Sequence, residues 1–386
     1  MTDLATTTAL LGDLVRFPTI SSDSNLEAIG WMADHLSRAG ARVEVLRDPT
    51  GRKANLWATL GPDVDGGLIL SGHSDVVPVA GQDWSRDPFE MHEENGRLYG
   101  RGTCDMKGFL ACCLAMAPVL AARVGARPYH FAFTHDEEVG CLGGQALVAE
   151  LSRRPTRPAM ALIGEPTGMQ LVDGHKGCCE YSVQFTGTGG HGSRPEAGVN
   201  AVEHATHYIT RLLSLREELK ARAPAGSPFD PPHTTINIGA LHGGTAHNVI
   251  PASARLDWEM RPVNDDDLTF VKSALAAFVA RDLLPRMRRI SASADVVTEV
   301  VGEVCSLIPM PENEIRSMIE QLTGRPGAHC VPFNTEAGLF QQLGLHAVIC
   351  GPGAIAQAHQ PDEWIETDQL AQCLSLLDRI SLSHGH

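Results

Sequence analysis

The residues of this chain that are best suited to chemistry are histidines and carboxylates in five short clusters. These are His73-Ser74-Asp75, Asp105, Glu137-Glu138, Glu165 and His359. Imidazole nitrogens and carboxylate oxygens are the ligands that zinc and related divalent ions use in enzymes. Several of the clusters directly follow a candidate strand. Because ligands of open α/β sheets bind beyond the carboxyl ends of the strands, we expect the clusters to converge on one metal site.

In two of the clusters the spacing allows one side chain to bind metal while its neighbour orients the ligand or acts as a base. In an extended backbone His73 and Asp75 point to one side, so the histidine can bind a metal ion while the carboxylate orients its other ring nitrogen. Adjacent Glu137 and Glu138 point to opposite sides, so one can bind the ion while the other acts as a base toward water. A surface turn explains either pattern equally well. The apolar run at 130–134 before the glutamates favours the functional interpretation.

The other three positions are ambiguous when each is taken alone. Asp105 lies in the glycine-flanked segment Gly100–Gly108 ahead of a helix, where it can present a bridging carboxylate or cap the helix. Glu165 ends the apolar run Ala161–Gly164 and precedes a proline. His359 can be an ordinary loop histidine. Only their convergence would make them a site.

The elements that must position these clusters form an α/β pattern in the first half of the chain. Ser24 can cap a helix with apolar residues at helical spacing, and Gly40 closes that helix. Short apolar runs predict strands at 43–46, 56–60, 68–71, 130–134 and 159–164. Helical patterns over 108–122 and 144–151 separate several of them. We predict an α/β fold whose mixed, mainly parallel sheet has helices on both faces.

The pattern changes after about residue 177 and returns near residue 291. Residues 181–185, 235–241 and 254–260 alternate like strands, and helical stripes begin near 202 and 268. This β-α-β-β-α order is typical of ferredoxin-like layers. We predict a catalytic domain in two parts, 1–179 and 291–386, interrupted by an inserted α+β lid at 180–290. A buried strand at 346–350 would return to the first sheet.

Composition excludes several classes of protein. Of the 386 residues, 43% are hydrophobic and 20% are charged, as in a globular chain rather than a disordered one. The formal net charge of -15 argues against a nucleic-acid partner. Because the chain lacks about 20 consecutive apolar residues and begins without an export signal, we expect a cytoplasmic protein with no membrane partner. Ten cysteines without a C-x-x-C spacing predict reduced, mostly buried thiols.

Five of the motifs occur together in one known family. They are Gly72–Pro78, Gly100–Gly108, Asp136-Glu137-Glu138, Gly164-Glu165-Pro166, and Gly190-His191 ahead of Asn248–Pro251. In order and spacing, along nearly the whole chain, they resemble the dizinc family of aminoacylases, carboxypeptidases, desuccinylases and amino-acid deacylases. Three further stretches look most like the acetylornithine deacetylase branch: Glu138–Cys141, Asn334–Ala337, and Gly351–Gly353 leading to Ala358–Glu363. The resemblance implies a dizinc exopeptidase-like domain and a lid through which two chains form a homodimer.

The resemblance also implies two divalent metal ions as cofactors, with zinc the expected metal and cobalt the alternative. The five ligands would be His73, Glu165, Asp105, Glu138 and His359. The first three hold one ion and the last three hold the other, so that Asp105 bridges both. Asp75 would orient His73, and Glu137 would be the general base. The family further implies a cis peptide bond after the bridging aspartate.

Other residues are assigned to the substrate by the same resemblance. His191 of the lid would donate to the oxyanion in the partner subunit's site, although a flexible glycine-rich loop also explains it. Arg261 suits bidentate pairing with an α-carboxylate, but it can equally form a structural ion pair. Glu336 would favour a cationic side chain on the substrate. The remaining expected contacts are Asn248, Thr335 and Gly353.

The expected reaction is hydrolysis of N2-acetyl-L-ornithine to L-ornithine and acetate, a step of arginine biosynthesis. A related deacylase or dipeptidase acting on acetylcitrulline, another small N-acyl amino acid or a dipeptide would share the metal centre. A cysteine hydrolase using Cys104 is an alternative of another class, but the sequence places no base for it. A non-catalytic scaffold conflicts with the filled base and ligand positions. The glycine-rich stretch Gly187–Gly190 lacks the spacing of a nucleotide loop.

Overall fold

The structure is a computed structural model that describes residues 3–384, so Met1, Thr2, Gly385 and His386 lie outside it. The helices in this range are α1 (Leu4–Val15), α2 (Leu26–Arg38), α3 (Lys107–Arg123), α4 (Leu142–Leu151), α5 (Ala201–Ala221), α6 (Asp265–Phe278), α7 (Leu284–Arg288), α8 (Glu314–Thr323), α9 (Ala337–Gln342) and α10 (Thr367–Ser383). Across the described range, no helix has the length and apolar character required to cross a lipid bilayer.

The strands alternate with these helices along most of the chain. They are β1 (Arg42–Arg47), β2 (Ala54–Leu60), β3 (Leu68–His73), β4 (His92–Glu94), β5 (Arg97–Tyr99), β6 (Tyr129–Thr134), β7 (Met160–Pro166), β8 (Val172–His175), β9 (Cys178–Thr186), β10 (Gly190–His191), β11 (Thr235–Gly243), β12 (Val249–Ile250), β13 (Ser253–Arg261), β14 (Asp295–Val304), β15 (His329–Val331), β16 (His346–Gly351) and β17 (Trp364–Glu366).

The chain divides into two compact units. The first contains the described residues up to Asp173, then Pro309–Cys330, then those from Thr335 onward. The second contains Gly174–Ile308 and Val331–Asn334. The boundary expected at residue 290 is therefore too early. Strand β14 pairs antiparallel with β9 along its length and so belongs to the second unit.

The first unit is built on a mixed sheet, as its sequence pattern predicts. Six strands lie in the order β1-β2-β6-β3-β7-β16, and the short strands β8 and β15 continue it. Strands β6, β3, β7 and β16 run parallel to one another, while β1 and β2 are antiparallel to their neighbours. The four parallel strands therefore end at one edge of the sheet. Strands β2, β3, β6 and β7 are buried throughout, which explains their continuous apolar runs.

Helix α3 is the buried helix against this sheet. Twelve of its residues are buried, and it packs on α1 and α10. The Phe109 side chain lies so close to β7 that a Cβ on Gly164 would come within 1.9 Å of the ring. Glycine at residue 164 is therefore required by a close approach of helix to strand, one residue before Glu165.

The N-cap of helix α2 lies one residue later than the sequence predicts. Asn25, not Ser24, is the N-cap residue, and its side chain makes no capping hydrogen bond. It instead bonds the backbone of Ala54 and donates to the Ser74 hydroxyl at 2.9 Å. The Asn25 side chain therefore contributes to tertiary structure beside β3 and does not cap the helix.

The second unit is a complete ferredoxin-like layer. Its four-stranded antiparallel sheet has the order β11-β13-β9-β14, and α5 packs on three of these strands. The sequence pattern predicts β9, α5, β11, β13 and α6 but misses β14. That strand lies at the edge of the sheet, and five consecutive residues in it are exposed, so it carries no alternating pattern.

Candidate metal centre

The parallel strands bring four of the predicted positions to one edge of the sheet. His73 is the last residue of β3, and Glu165 lies near the end of β7. Glu137 and Glu138 follow β6 after a short turn. Because these three strands are parallel neighbours, the side chains converge at their carboxyl ends. One ligand atom from each of His73, Glu137 and Glu165 can lie within 4.8 Å of the others.

Asp105 lies between the two histidines. Its Oδ1 is 3.0 Å from His73 Nε2, and its Oδ2 is 3.2 Å from His359 Nε2. His73 Nε2 is also 3.8 Å from a Glu165 oxygen, and His359 Nε2 is 3.1 Å from a Glu138 oxygen. Each carboxylate oxygen of Asp105 thus lies near a different histidine, and each histidine also lies near a different glutamate. The peptide bond Asp105-Met106 is cis, as the resemblance implies.

Three buried or half-buried carboxylates, Asp105, Glu138 and Glu165, lie close together in this cluster. Burial is the largest cause that raises the pKa of Glu165 and of Glu138, and the neighbouring Asp105 carboxylate raises both further. Burial also opposes ionisation of Asp105, but hydrogen bonds from His359 and His73 hold the pKa of this carboxyl below its usual value. Buried carboxylates are stable only when paired or bound to metal. The excess of buried carboxylates and the mixed N/O donor set therefore fit two divalent ions.

The neighbouring carboxylates also raise the pKa values of the two histidines. Hydrogen bonds to Asp105 and Glu138 raise the pKa of His359 to about 10. Burial opposes protonation of His73, yet its hydrogen bond to Asp105 and the Glu165 charge outweigh burial and raise its pKa. The carboxylates around both rings thus favour the protonated form of these histidines.

Asp75 has partners that its spacing does not reveal. His73 Nδ1 donates to the backbone carbonyl of Asp75 at 2.9 Å, whereas the nearer carboxylate oxygen is 3.7 Å away. The carboxylate instead accepts from the Ser21 hydroxyl at 2.7 Å and from the backbone N–H groups of Glu137 and Glu138 at 3.1 and 3.4 Å. The expected role is corrected accordingly. The backbone of Asp75 orients the histidine, and its side chain holds the turn that carries both glutamates.

Glu137, the predicted base, lies half-buried in that turn. Burial is the main cause that raises its pKa well above the usual value. The buried Cys141 thiol donates to Glu137 Oε1 at 3.4 Å. The preceding Asp136 has a φ of 55°, and its carboxylate pairs with Lys53. Contacts on both sides thus fix the position of Glu137 within the acidic cluster.

Three predicted substrate contacts of the first unit, Thr335, Glu336 and Gly353, are buried. Glu336 is only 1% exposed, so its carboxylate is not presented to a substrate, and the expected contact with a cationic side chain is not supported. Thr335 is buried, and its hydroxyl accepts from the backbone N–H of Ala337 at 3.1 Å. Gly353 has a φ of 86°, and a Cβ there would lie 2.6 Å from the Cys104 sulfur. Packing explains this glycine.

Within the second unit, His191 and Asn248 lie close together. His191 pairs with Val249 across β10 and β12, and the Asn248 carbonyl accepts from the N–H of Gly192 at 2.7 Å. His191 is exposed, with Nδ1 2.8 Å from the Ser193 hydroxyl.

Arg261 has partners inside the second unit. Its guanidinium is 3.0 Å from Glu259, and it donates to the Asn334 side chain at 3.3 Å. The structural ion pair left open by the sequence is therefore formed.

Cys104 is a poor nucleophile in this setting. It is 1% exposed, and burial raises the pKa of its thiol well above the usual value. The thiol lies 3.4 Å from the Ala354 carbonyl, where it can donate a weak hydrogen bond. Reactive cysteines have lowered pKa values and exposed sulfurs. The cysteine hydrolase alternative is therefore disfavoured.

Sequence reasoning missed three residues that contact the metal-centre loops. They are Gln82, Arg101 and Glu363. Arg101 and Glu363 lie inside the quoted motifs, each four residues from a predicted ligand, and the available signal was a charged residue with no role assigned to it.

Solved structures share this fold along the whole chain. Aminopeptidase PepT from Bacillus cereus ATCC 10987 is 20% identical and covers 100% of both chains, with a TM-score of 0.73. The M20 family metallo-carboxypeptidase Sso-CP2 from Sulfolobus solfataricus is 17% identical over 98% of this chain and 99% of its own, with a TM-score of 0.74. YXEP of Bacillus subtilis, described as a dinuclear metal binding peptidase from the M20 family, is 14% identical over 98% and 97%, with a TM-score of 0.65.

The sequence pattern of one peptidase family matches most of the chain. The pattern of peptidase family M20/M25/M40 covers residues 69–383, which includes every position that we assign to metal. The match, the shared fold and the buried histidine–carboxylate cluster agree with one another. The chain is therefore a metallohydrolase of amide or peptide bonds and belongs to peptidase family M20/M25/M40.

Proposed function

We propose that this hydrolase removes the acetyl group from N2-acetyl-L-ornithine, giving L-ornithine and acetate in arginine biosynthesis. The observation that carries a two-ion centre is Asp105, whose two oxygens each face a different histidine at 3.0 and 3.2 Å. The acetylornithine assignment rests on the Asn334–Ala337 and Ala358–Glu363 stretches, which resemble that branch of the family.

We assign two zinc ions, with cobalt as the alternative, to the five ligands His73, Glu165, Asp105, Glu138 and His359. Bound there, the ions would polarise the amide carbonyl and make water a stronger acid. Glu137 accepts a proton from the attacking water while the water oxygen bonds to the carbonyl carbon. It then passes that proton to the amine nitrogen as the C–N bond breaks. The products are acetate and the free amine of ornithine.

Residues of the second unit complete the proposal. Arg261 would anchor the α-carboxylate, exchanging its present pairing with Glu259 for a bidentate contact with substrate. Asn248 would contribute a further polar contact, and His191 would donate to the oxyanion in the partner subunit's site. A homodimer is therefore part of the proposal.

A second candidate substrate is a short peptide. It is favoured by the names of the solved relatives, which include an aminopeptidase, a metallo-carboxypeptidase and human carnosine dipeptidase 1. A dipeptide and an N-acyl amino acid present the same amide and α-carboxylate, so the same residues would serve both.

Substrate profiling of chelated enzyme, with zinc or cobalt added back, tests the proposal. Initial rates are compared on acetylornithine, acetylcitrulline, acetylmethionine, succinyl-diaminopimelate and a dipeptide. The expected result is activity that returns with metal and a kcat/KM highest for acetylornithine. A higher kcat/KM for another substrate would contradict the acetylornithine assignment but would leave the metal-dependent hydrolysis standing. Full activity in chelated enzyme would exclude the metal mechanism.

The role of Glu137 has its own test. Replacing Glu137 with Gln keeps the size of the side chain but removes the proton acceptor, so we expect kcat to fall by about 100-fold or more with metal content unchanged. Metal analysis and kcat are measured together. Glu93→Gln, at an exposed residue of β4, is the matched control. A Glu137→Gln enzyme with near-normal kcat would remove Glu137 from the reaction.

A further inference from the structure

A buried polar network joins the two loops that carry Asp105 and His359. It consists of Gln82, Arg101 and Glu363, which we call the Arg101 clamp. Arg101 and Glu363 are each 1% exposed at the side chain, and their ion pair is 2.7 Å long. A charged pair this deeply buried needs excellent geometry and further hydrogen bonds to be tolerated.

Glu363 holds the loop of the bridging carboxylate. Its Oε1 accepts from the backbone N–H of Cys104 at 2.9 Å and of Asp105 at 3.0 Å. Its backbone carbonyl accepts from the N–H of Gly100 at 2.9 Å. Glu363 lies four residues after His359, so one short segment carries a proposed ligand and also fixes the backbone of another.

Arg101 connects Glu363 to Gln82 through its forked guanidinium. Nη1 donates to Glu363 Oε2, and Nη2 donates to Gln82 Oε1 at 2.5 Å. The guanidinium also lies over the Trp84 ring, 4.9 Å from its centroid. Lysine cannot reproduce two such bonds at fixed geometry.

Gln82 completes the connection at His359. Its Nε2 donates to the His359 carbonyl at 2.9 Å. His359 has a φ of 62°, in the left-handed region that is unfavourable for residues with a side chain, and its side chain is 49% exposed. An exposed histidine with this backbone depends on outside contacts to stay in position.

We infer that Gln82, Arg101 and Glu363 are positioning residues that set the affinity of one of the two metal positions, the one shared by Asp105, Glu138 and His359. The inference rests on the proposed two-ion centre. The other position depends less on the clamp, because His73 ends a fully buried strand and is oriented by the backbone of Asp75. Loss of the clamp, and of its Gln82 contact with His359 above all, therefore weakens binding at this position more than at the other.

Cobalt binding to chelated whole protein tests this directly, without reference to turnover. Titration calorimetry gives two dissociation constants, and the visible spectrum of Co²⁺ reports the ligand geometry at each step. For Gln82→Met and Arg101→Met we expect one of the two constants to rise by about 10- to 100-fold, with the other within a factor of about three. The visible bands of the Co²⁺ that binds with the altered constant should shift.

Arg97→Met is the matched control, because Arg97 lies over Trp364 and pairs with Glu366 on the surface of the same region. It should leave both constants unchanged. Arg101→Lys should recover little of the lost affinity. If Arg101→Met fails to fold, Gln82→Met decides the question, since Gln82 is half-buried and uncharged.

The possible outcomes separate this inference from the proposed function. Variants that bind both ions as tightly as wild type, or that lose both ions equally, would overturn the inference. Wild-type protein that binds fewer than two ions would overturn it together with the two-ion centre. Selective loss of one ion supports the clamp even if acetylornithine proves not to be the substrate.

Discussion

At the residue scale, His73 and His359 have carboxylate neighbours that favour a protonated ring. Hydrogen bonds to carboxylates raise the pKa of His359 to about 10, and contacts with Asp105 and Glu165 raise that of His73. A metal ion would therefore compete with protons for the ring nitrogens that face these carboxylates. Because ligand nitrogens must be deprotonated to bind metal, affinity depends on pH.

We accordingly expect zinc binding to release protons at pH 7 and the apparent affinity to rise between about pH 5 and 8. Titration calorimetry in buffers of different ionisation enthalpy measures this release. Identical heats in every buffer would show that binding releases no protons, which would contradict the raised pKa values of the two histidines.

Glu336 provides a pH test of stability. Burial raises its pKa from 4.5 to about 7, so between these values the folded chain binds more protons at this position than the unfolded chain. The free energy of unfolding therefore falls as pH rises through this window. Glu336→Gln, which stays neutral, should avoid the loss and gain up to about 3 kcal/mol over wild type at pH 8 relative to pH 5.

Urea unfolding of metal-free protein at both pH values measures this difference. Glu93→Gln, at an exposed position, retains Glu336, so its stability should follow the pH dependence of wild type. An equal stability difference at pH 5 and pH 8 would contradict the raised pKa of Glu336.

At the element scale, α3 and β7 approach each other closely at Gly164, one residue before the proposed ligand Glu165. Gly164→Ala would place a methyl group 1.9 Å from the Phe109 ring, so the helix or the strand must move. We expect a loss of about 1–3 kcal/mol in the free energy of unfolding. We also expect weaker metal binding, because Glu165 is the next residue.

Gly30→Ala is the control for this substitution. Residue 30 lies within α2, and a Cβ there meets nothing within 4 Å. The change should stabilise the protein by about 0.5–1 kcal/mol. Denaturant unfolding with metal titration compares the two variants, and equal stability of both would show that α3 can relax away from β7.

The same elements show what the sequence could predict. A carboxylate at the end of an apolar run, as at Glu165, locates a strand end, and parallel strands then bring such ends together. The partners of Asp75 and the burial of Glu336 could not be predicted, because both depend on contacts between distant segments. Strand β14 was missed because an exposed edge strand does not need alternating apolar residues.

At the scale of the whole molecule, the proposed exchange of His191 between subunits can be tested by mixing two inactive variants. His191→Ala lacks the oxyanion donor and Glu137→Gln lacks the base. In a mixed dimer one site would have both groups intact. Randomly re-assorted dimers should regain about a quarter of wild-type activity.

Activity after mixing, unfolding and refolding the two variants together measures this effect, and each variant refolded alone is the control. No recovery in a mixture shown to contain mixed dimers would mean that His191 serves its own chain.

The insertion of the second unit also orders events during synthesis. The residues His73, Asp105, Glu138 and Glu165 leave the ribosome before Gly174, but His359 follows the whole of Gly174–Ile308. Strand β16, which pairs with β7, also arrives only after that unit. The nascent chain thus carries four of the five proposed metal ligands, and β7 can pair only with β3, while the ferredoxin-like layer is completed. The proposed metal position that includes His359 is therefore complete only once translation is almost finished.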